Sequence, residues 1–109
     1  MLTSRINWET IRSIDSATFT GSYQALGSPL VYPSYICKLV NDSTALVTIS
    51  IDGVNDIDIA PANSFWLYDE GKTDPSYKLA AIPAGTQFYV KGSAGTRSVY
   101  LVSQYLIPG

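Results

Sequence analysis

Hydrophobic and polar positions alternate along most of this chain with the two-residue period of β-strands. The clearest run is 44–51, where Ala45, Val47, Ile49 and Ile51 share one face while Thr48 and Ser50 lie on the other. The run 35–40 precedes it, and Asn41-Asp42-Ser43 between them predicts a hairpin. Upstream, 17–26 is rich in β-formers and ends at Gly27-Ser28-Pro29. Downstream, Asp52-Gly53 turns the chain into Asp56-Ile57-Asp58-Ile59, whose alternation places two Ile inward and two Asp outward. Ser64-Phe65-Trp66-Leu67-Tyr68 is apolar on both faces, which predicts cover on both. Segments 77–82, 86–91 and 97–105 complete the set, with Gly92-Ser93-Ala94-Gly95-Thr96 as a loose hairpin loop between the last two.

About eight strands, with turn signals between them and no amphipathic helix, predict an all-β domain. The expected architecture is an antiparallel β-sandwich, jelly-roll-like, over residues 17–109. A Greek-key sandwich of another order fits the same pattern. Residues 1–16 differ: Ile6, Trp8, Ile11 and Ile14 stand among Arg5, Glu9, Arg12 and Asp15 and follow neither period. They read as a short N-terminal arm that packs on a neighbour or on the domain's own sheet. One internal echo recurs. Pro61-Ala62-Asn63-Ser64 and Pro83-Ala84-Gly85-Thr86 each lead into an aromatic strand. Proline presets φ, and Asn or Gly tolerates the left-handed region, so two matching corners are expected.

Composition narrows the function. A chain of 109 residues is one domain with room for an unstapled core. Charged residues make up 15%, against a usual value of about 25%. Eight Tyr supply rigid contact area with a polar tip, which suits interfaces, although β-propensity accounts for them equally. The net charge is −2 and the Lys and Arg are scattered, so no nucleic-acid footprint exists. Cys37 is the only cysteine, which rules out an intramolecular disulfide or a multi-cysteine metal site. It reads as a buried thiol in a protein made in a reducing compartment. The N-terminus has no signal-peptide h-region, and no apolar run approaches the ~20 residues of a membrane span, so a soluble protein without membrane partners is expected.

Candidate chemistry is sparse. The absence of His removes the commonest general base and metal ligand. Asp52, Asp56 and Asp58 form the densest acidic cluster, but its spacing does not match a calcium loop. Asp56 and Asp58 on one strand face are also poor geometry for a glycosidase pair. Glu9 and Glu70 are the only Glu residues, and 69–75 reads as an exposed polar loop. Segment 92–96 lacks the lysine and strand-to-helix context of a phosphate loop. Trp66, Tyr68, Phe88, Tyr89, Tyr100 and Tyr105 read as core packing, or alternatively as a sugar-stacking platform. No catalytic, cofactor-binding or metal-ligating residue is assigned, and the chain reads as non-enzymatic.

Several stretches resemble small structural proteins of tailed bacteriophages. They are 20–30, 39–43 and 47–56, then 82–92 and 98–102. These include Thr20-Gly21-Ser22-Tyr23, Leu39-Val40-Asn41-Asp42-Ser43 and Ile82-Pro83-Ala84-Gly85-Thr86. The resemblance covers most of the chain and rests on strand and turn residues. It implies a non-enzymatic virion component, assembled in the host cytoplasm, at the capsid, neck or tail. It also implies virion proteins as partners and a homo-oligomeric state. A carbohydrate- or receptor-binding module is the alternative.

Overall fold

The computed structural model describes residues 4–69 and 82–108. They form nine strands: β1 (Ser4–Trp8), β2 (Arg12–Asp15), β3 (Gln24–Ala25), β4 (Ile36–Asn41), β5 (Val47–Ser50), β6 (Asp58–Ala60), β7 (Ser64–Asp69), β8 (Tyr89–Lys91) and β9 (Ser98–Pro108). The protein is all-β, with two antiparallel sheets packed face to face. The five-stranded sheet runs β1-β9-β4-β7, and β2 shares β9's outer side with β1. The four-stranded sheet runs β3-β8-β5-β6. Phe88, Leu26, Leu39, Ile49 and Leu101 are the largest fully buried side chains, and they come from both layers. Apolar burial between the sheets is the main force holding them together.

Two expected hairpins are sheet-crossing corners instead. Strands β4 and β5 lie in different sheets, as do β8 and β9. Residues 41–43 therefore carry the chain across the core, and Asn41 is fully buried there. Its Nδ2 donates to the carbonyls of Ala45 (2.8 Å), Ala60 (2.8 Å) and Pro61 (3.1 Å). Its Oδ1 accepts the Ser43 N–H at 3.1 Å. One side chain thus ties this corner to the corner that leads into β7. The expected β5–β6 hairpin does form.

Register also reverses one assignment. Strand β6 pairs with Thr48 opposite Ile59 and Ile49 opposite Asp58. Opposed residues share a face, so Asp58 sits on the side of inward Ile49, and Ile57 and Ile59 face out. Asp58 Oδ2 is held there by Trp66 Nε1–H at 2.6 Å. Ile51 is exposed as well, because the chain turns at Asp52. The expected strand over 17–26 shrinks to β3. Asp15 caps a 3-10 turn at Ser16–Thr18, and Gly21 at φ 88° bends the chain onward. The strand expected at 77–82 lies outside the described residues except Ile82, which bridges to Ser34.

The segment read as an arm contributes β1 and β2 to the protein's own sheet. Trp8 is opposite Gln104 and Arg12 is opposite Leu101. Four steps on one strand thus match three on the other, which is a one-residue bulge at 9–11. Without it Arg12 would share Trp8's outward parity. With it, Arg12 turns inward while Trp8 stays outside, which explains why this stretch follows neither period. The guanidinium donates to Glu9 (2.7 Å) and to the carbonyls of Ser28 (2.7 Å) and Pro29 (2.9 Å). Glu9 in turn accepts the N–H groups of Val31 (3.1 Å) and Tyr32 (2.9 Å). The bulge is therefore latched to the loop that crosses it.

The two Pro-Ala corners match in detail. Asn63 and Gly85 take φ of 57° and 86°. Ser64 and Thr86 hydroxyls donate to the carbonyls of Pro61 (2.6 Å) and Pro83 (2.8 Å). The left-handed residue is what lets each chain reverse within four residues.

Candidate interaction face

Strands β7, β4 and β9 lie in register, so alternate residues of each point away from the core. From β7 these are Phe65, Leu67 and Asp69, and from β4 they are Ile36, Lys38 and Val40. Strand β9 adds Tyr100, Val102 and Gln104. Trp8 extends the row of Asp69, Ile36 and Gln104 at the far side. Phe65 is 62% exposed, Trp8 57% and Leu67 48%. Such a face belongs to a buried sheet layer, yet nothing among the described residues covers it. The expectation that β7 is covered on both faces is thus met on the inner side only. There Trp66 packs against Phe88 with ring centroids 6.0 Å apart.

Lys38 stands in the middle of this face, in a row with Leu67 and Val102. A shallow hollow lies on either side of it. One is bordered by Val40 and Phe65, the other by Trp8, Leu67 and Val102. Lys38 and Asp69 are the charged side chains of its rows on β7, β4 and β9, while Asp15 of β2 and the Arg97-paired Asp42 lie at its far end. Neither Lys38 nor Asp69 has an ion-pair partner among the described residues. The opposite outer face, on the smaller sheet, exposes Leu46, Ile57 and Ile59. Its cation, Lys91, is already engaged by Asp56 at 3.2 Å and by the Tyr23 ring at 4.5 Å.

The sequence candidates for chemistry fall apart in space. Asp52 accepts the N–H groups of Asn55 and Val54 (both 2.8 Å), the Asn55 side-chain amide (2.6 Å) and the Ser50 hydroxyl (2.8 Å). Those bonds hold its carboxyl well below the usual range, as a turn-forming anion. Asp56 accepts from the Tyr23 hydroxyl and pairs with Lys91, and both lower its pKa. Burial and the Asp56 charge push the Tyr23 phenol up to about 12. Asp58 is turned to Trp66. Among the described residues no group of three His, Cys, Asp or Glu converges as a metal site.

Among the described residues, Glu9 and Arg12 form the one ion pair with both side chains nearly buried, 5% and 7% exposed. Burial alone would raise the Glu9 pKa, but hydrogen bonds from Arg12, Tyr32 and Val31 outweigh it and leave it lowered. Cys37 is fully buried, and burial pushes its thiol up to about 12, leaving no thiolate to act as a nucleophile near neutral pH. Glu70 and most of the 69–75 loop lie outside the described residues.

The six rings read as a sugar platform do not assemble into one surface. Phe88 and Tyr105 are buried, and Trp66 faces inward. Tyr105 stacks on Tyr32 at 4.0 Å. Among the described residues the exposed rings are Trp8, Tyr32 and Phe65, which the sequence pattern did not single out. The signal for Phe65 was present in 64–68, a strand apolar on both sides that reads as doubly covered. No helix among the described residues is long and apolar enough to cross a membrane. Comparison with known proteins found no matching family model, curated protein or solved structure.

Proposed function

We propose that this chain is a non-enzymatic structural subunit of a tailed-bacteriophage virion, an auxiliary assembly protein of the capsid, neck or tail. The observation that carries this reading is the apolar face of the larger sheet, with Phe65, Leu67 and Trp8 exposed and no cover from the described residues. Contiguous exposed apolar surface with aromatic residues is the composition of an interface core. A subunit that docks flat against neighbours needs such a face and no reactive group.

The strand order supports the same reading. We read β2-β9-β4-β7 opposite β3-β8-β5-β6 as a jelly roll, with successive strands from β2 onward crossing between the layers except at the β5–β6 hairpin, and β1 prolonging the place of β2. Jelly rolls recur in viral capsid domains and in lectins. Fold alone does not choose between them, so the choice rests on the site. Polar groups do border Phe65, since its hollow is also lined by Asn41, Asp42, Asn63 and Ser64, but the other exposed ring of this face, Trp8, lies three strands away at the opposite corner. Rings so far apart form no single stacking platform, which favours broad protein contact. The resemblance to phage structural proteins adds weight through 39–43 and 82–92, the segments that build two of the corners.

Mass spectrometry of purified particles, made with the gene in its native setting, tests the reading. Peptides of this chain are expected in fixed ratio to the major capsid protein. The double variant Phe65→Ser, Leu67→Ser is expected to fold normally and to be lost from the particles. Particles devoid of the chain, or full incorporation of the double variant, would refute the reading.

A further inference from the structure

We propose that the outer face of the larger sheet docks on the same face of a second copy, around a two-fold axis that sets each Lys38 against the other copy's Asp69. This rests on the assembly reading above and names its partner. The argument begins with the cost of covering Lys38. It lies mid-face between Leu67 and Val102 and has no ion-pair partner among the described residues. Any apolar surface laid over it would strip water from an ammonium group, which is strongly unfavourable unless an anion faces it. The occupant must therefore bring one carboxylate to an otherwise apolar patch.

Asp69 creates the mirror requirement. It sits on the same face, opposite Ile36 and one outward position beyond Leu67, and it too lacks an ion-pair partner among the described residues. The rows on β7, β4 and β9 thus carry one cation and one anion without partners among the described residues, displaced from each other and set among apolar side chains. A surface of this kind is complementary to itself. A two-fold axis lying in the contact plane, midway between Lys38 and Asp69, brings the Lys38 of each copy over the Asp69 of the other. Both charges are then matched twice per pair, as isologous contacts require. The smaller sheet's outer face offers no equivalent, because Lys91 is already neutralised by Asp56.

Size sets the strength. Four strand positions spaced ~4.8 Å apart and six residues at ~3.4 Å define a flat footprint of about 400 Å² per copy. That is below the ~800 Å² per partner of a standard stable interface, so the pair is weak and concentration-dependent in isolation. Repetition of the contact across a symmetric particle would make it persistent.

Sedimentation equilibrium of the full chain over a wide concentration range tests the pairing, with urea midpoints confirming that every variant is folded. The wild type is expected to pass from monomer to dimer. Lys38→Asp and Asp69→Lys are each expected to weaken association at least about tenfold, since each sets like charges face to face. The double variant Lys38→Asp, Asp69→Lys exchanges the charges and is expected to recover association to within about threefold of wild type. A wild type that stays monomeric, singles that dimerise normally, or a double variant no better than the singles would overturn the pairing. A monomeric wild type that still enters particles through Phe65 and Leu67 would overturn the second-copy partner while leaving the assembly reading intact. A fully paired dimer absent from particles would do the reverse.

Discussion

Glu9 and Arg12 show how much one inserted residue decides. The extra residue at 9–11 turns Arg12 inward, and Glu9 is then needed to neutralise it. Breaking a buried charged hydrogen bond costs about 1–3 kcal/mol. Glu9→Gln is therefore expected to lower stability at pH 7 by about that amount, read from urea denaturation. The same variant tests the pH dependence. Glu9 titrates below its ordinary value of 4.5 in the folded chain. A lowered carboxylate adds stability above its unfolded pKa and loses it as pH falls through the folded pKa. Asp52 and Asp56, also lowered, act in the same direction. Wild-type stability should thus decline as pH falls below about 4.5, and the gap between wild type and Glu9→Gln should close as Glu9 protonates. A gap that is constant down to the acid limit would show that Glu9 is not held as an anion.

At the scale of elements, corners matter more than strands. Asn41 satisfies three carbonyls and one N–H where two corners meet. Asn41→Ala would leave buried groups unpaired and is expected to cost on the order of 3 kcal/mol or more in urea denaturation. A loss under about 1 kcal/mol would mean that water replaces the amide. The Pro-Ala corners permit a reciprocal exchange. Asn63→Gly and Gly85→Asn should each be nearly neutral, because both residues accept the left-handed region. Asn63→Ala and Gly85→Ala should each cost about 1–2 kcal/mol.

These elements also mark what the sequence made legible. Period-two runs located β4, β5, β8 and β9, since burial of one face leaves that pattern in the residues, and β7 was located as a run apolar on both faces. The left-handed corner positions were legible from Asn63 and Gly85 for steric reasons. Pairing was not. Asn41-Asp42-Ser43 has the composition of a hairpin turn, and only the layer that β5 joins distinguishes a crossing from a hairpin. Ile57 and Ile59 were assigned inward because alternation gives two faces without saying which is the core. Strands β1 and β2 were hidden because a bulge shifts the parity between them. The candidate face was half legible: a strand apolar on both sides announces two contacts, and the described residues provide one of them.

For the molecule as a whole, the two outer faces are unequal, and that difference is the basis of the functional account. The larger sheet presents Phe65, Leu67 and Trp8 around a Lys38 that has no ion-pair partner among the described residues, whereas the smaller sheet has its Lys91 internally paired. If assembly uses the larger sheet, solvent access changes on that side alone. Hydroxyl-radical footprinting, read by mass spectrometry on the free chain and on the particle-bound chain, measures this directly. The account predicts strong protection of Trp8, Phe65 and Leu67 on assembly while Leu46, Ile57 and Ile59 keep their reactivity. Unchanged reactivity at Trp8, Phe65 and Leu67, with protection confined to Ile57 and Ile59, would contradict it.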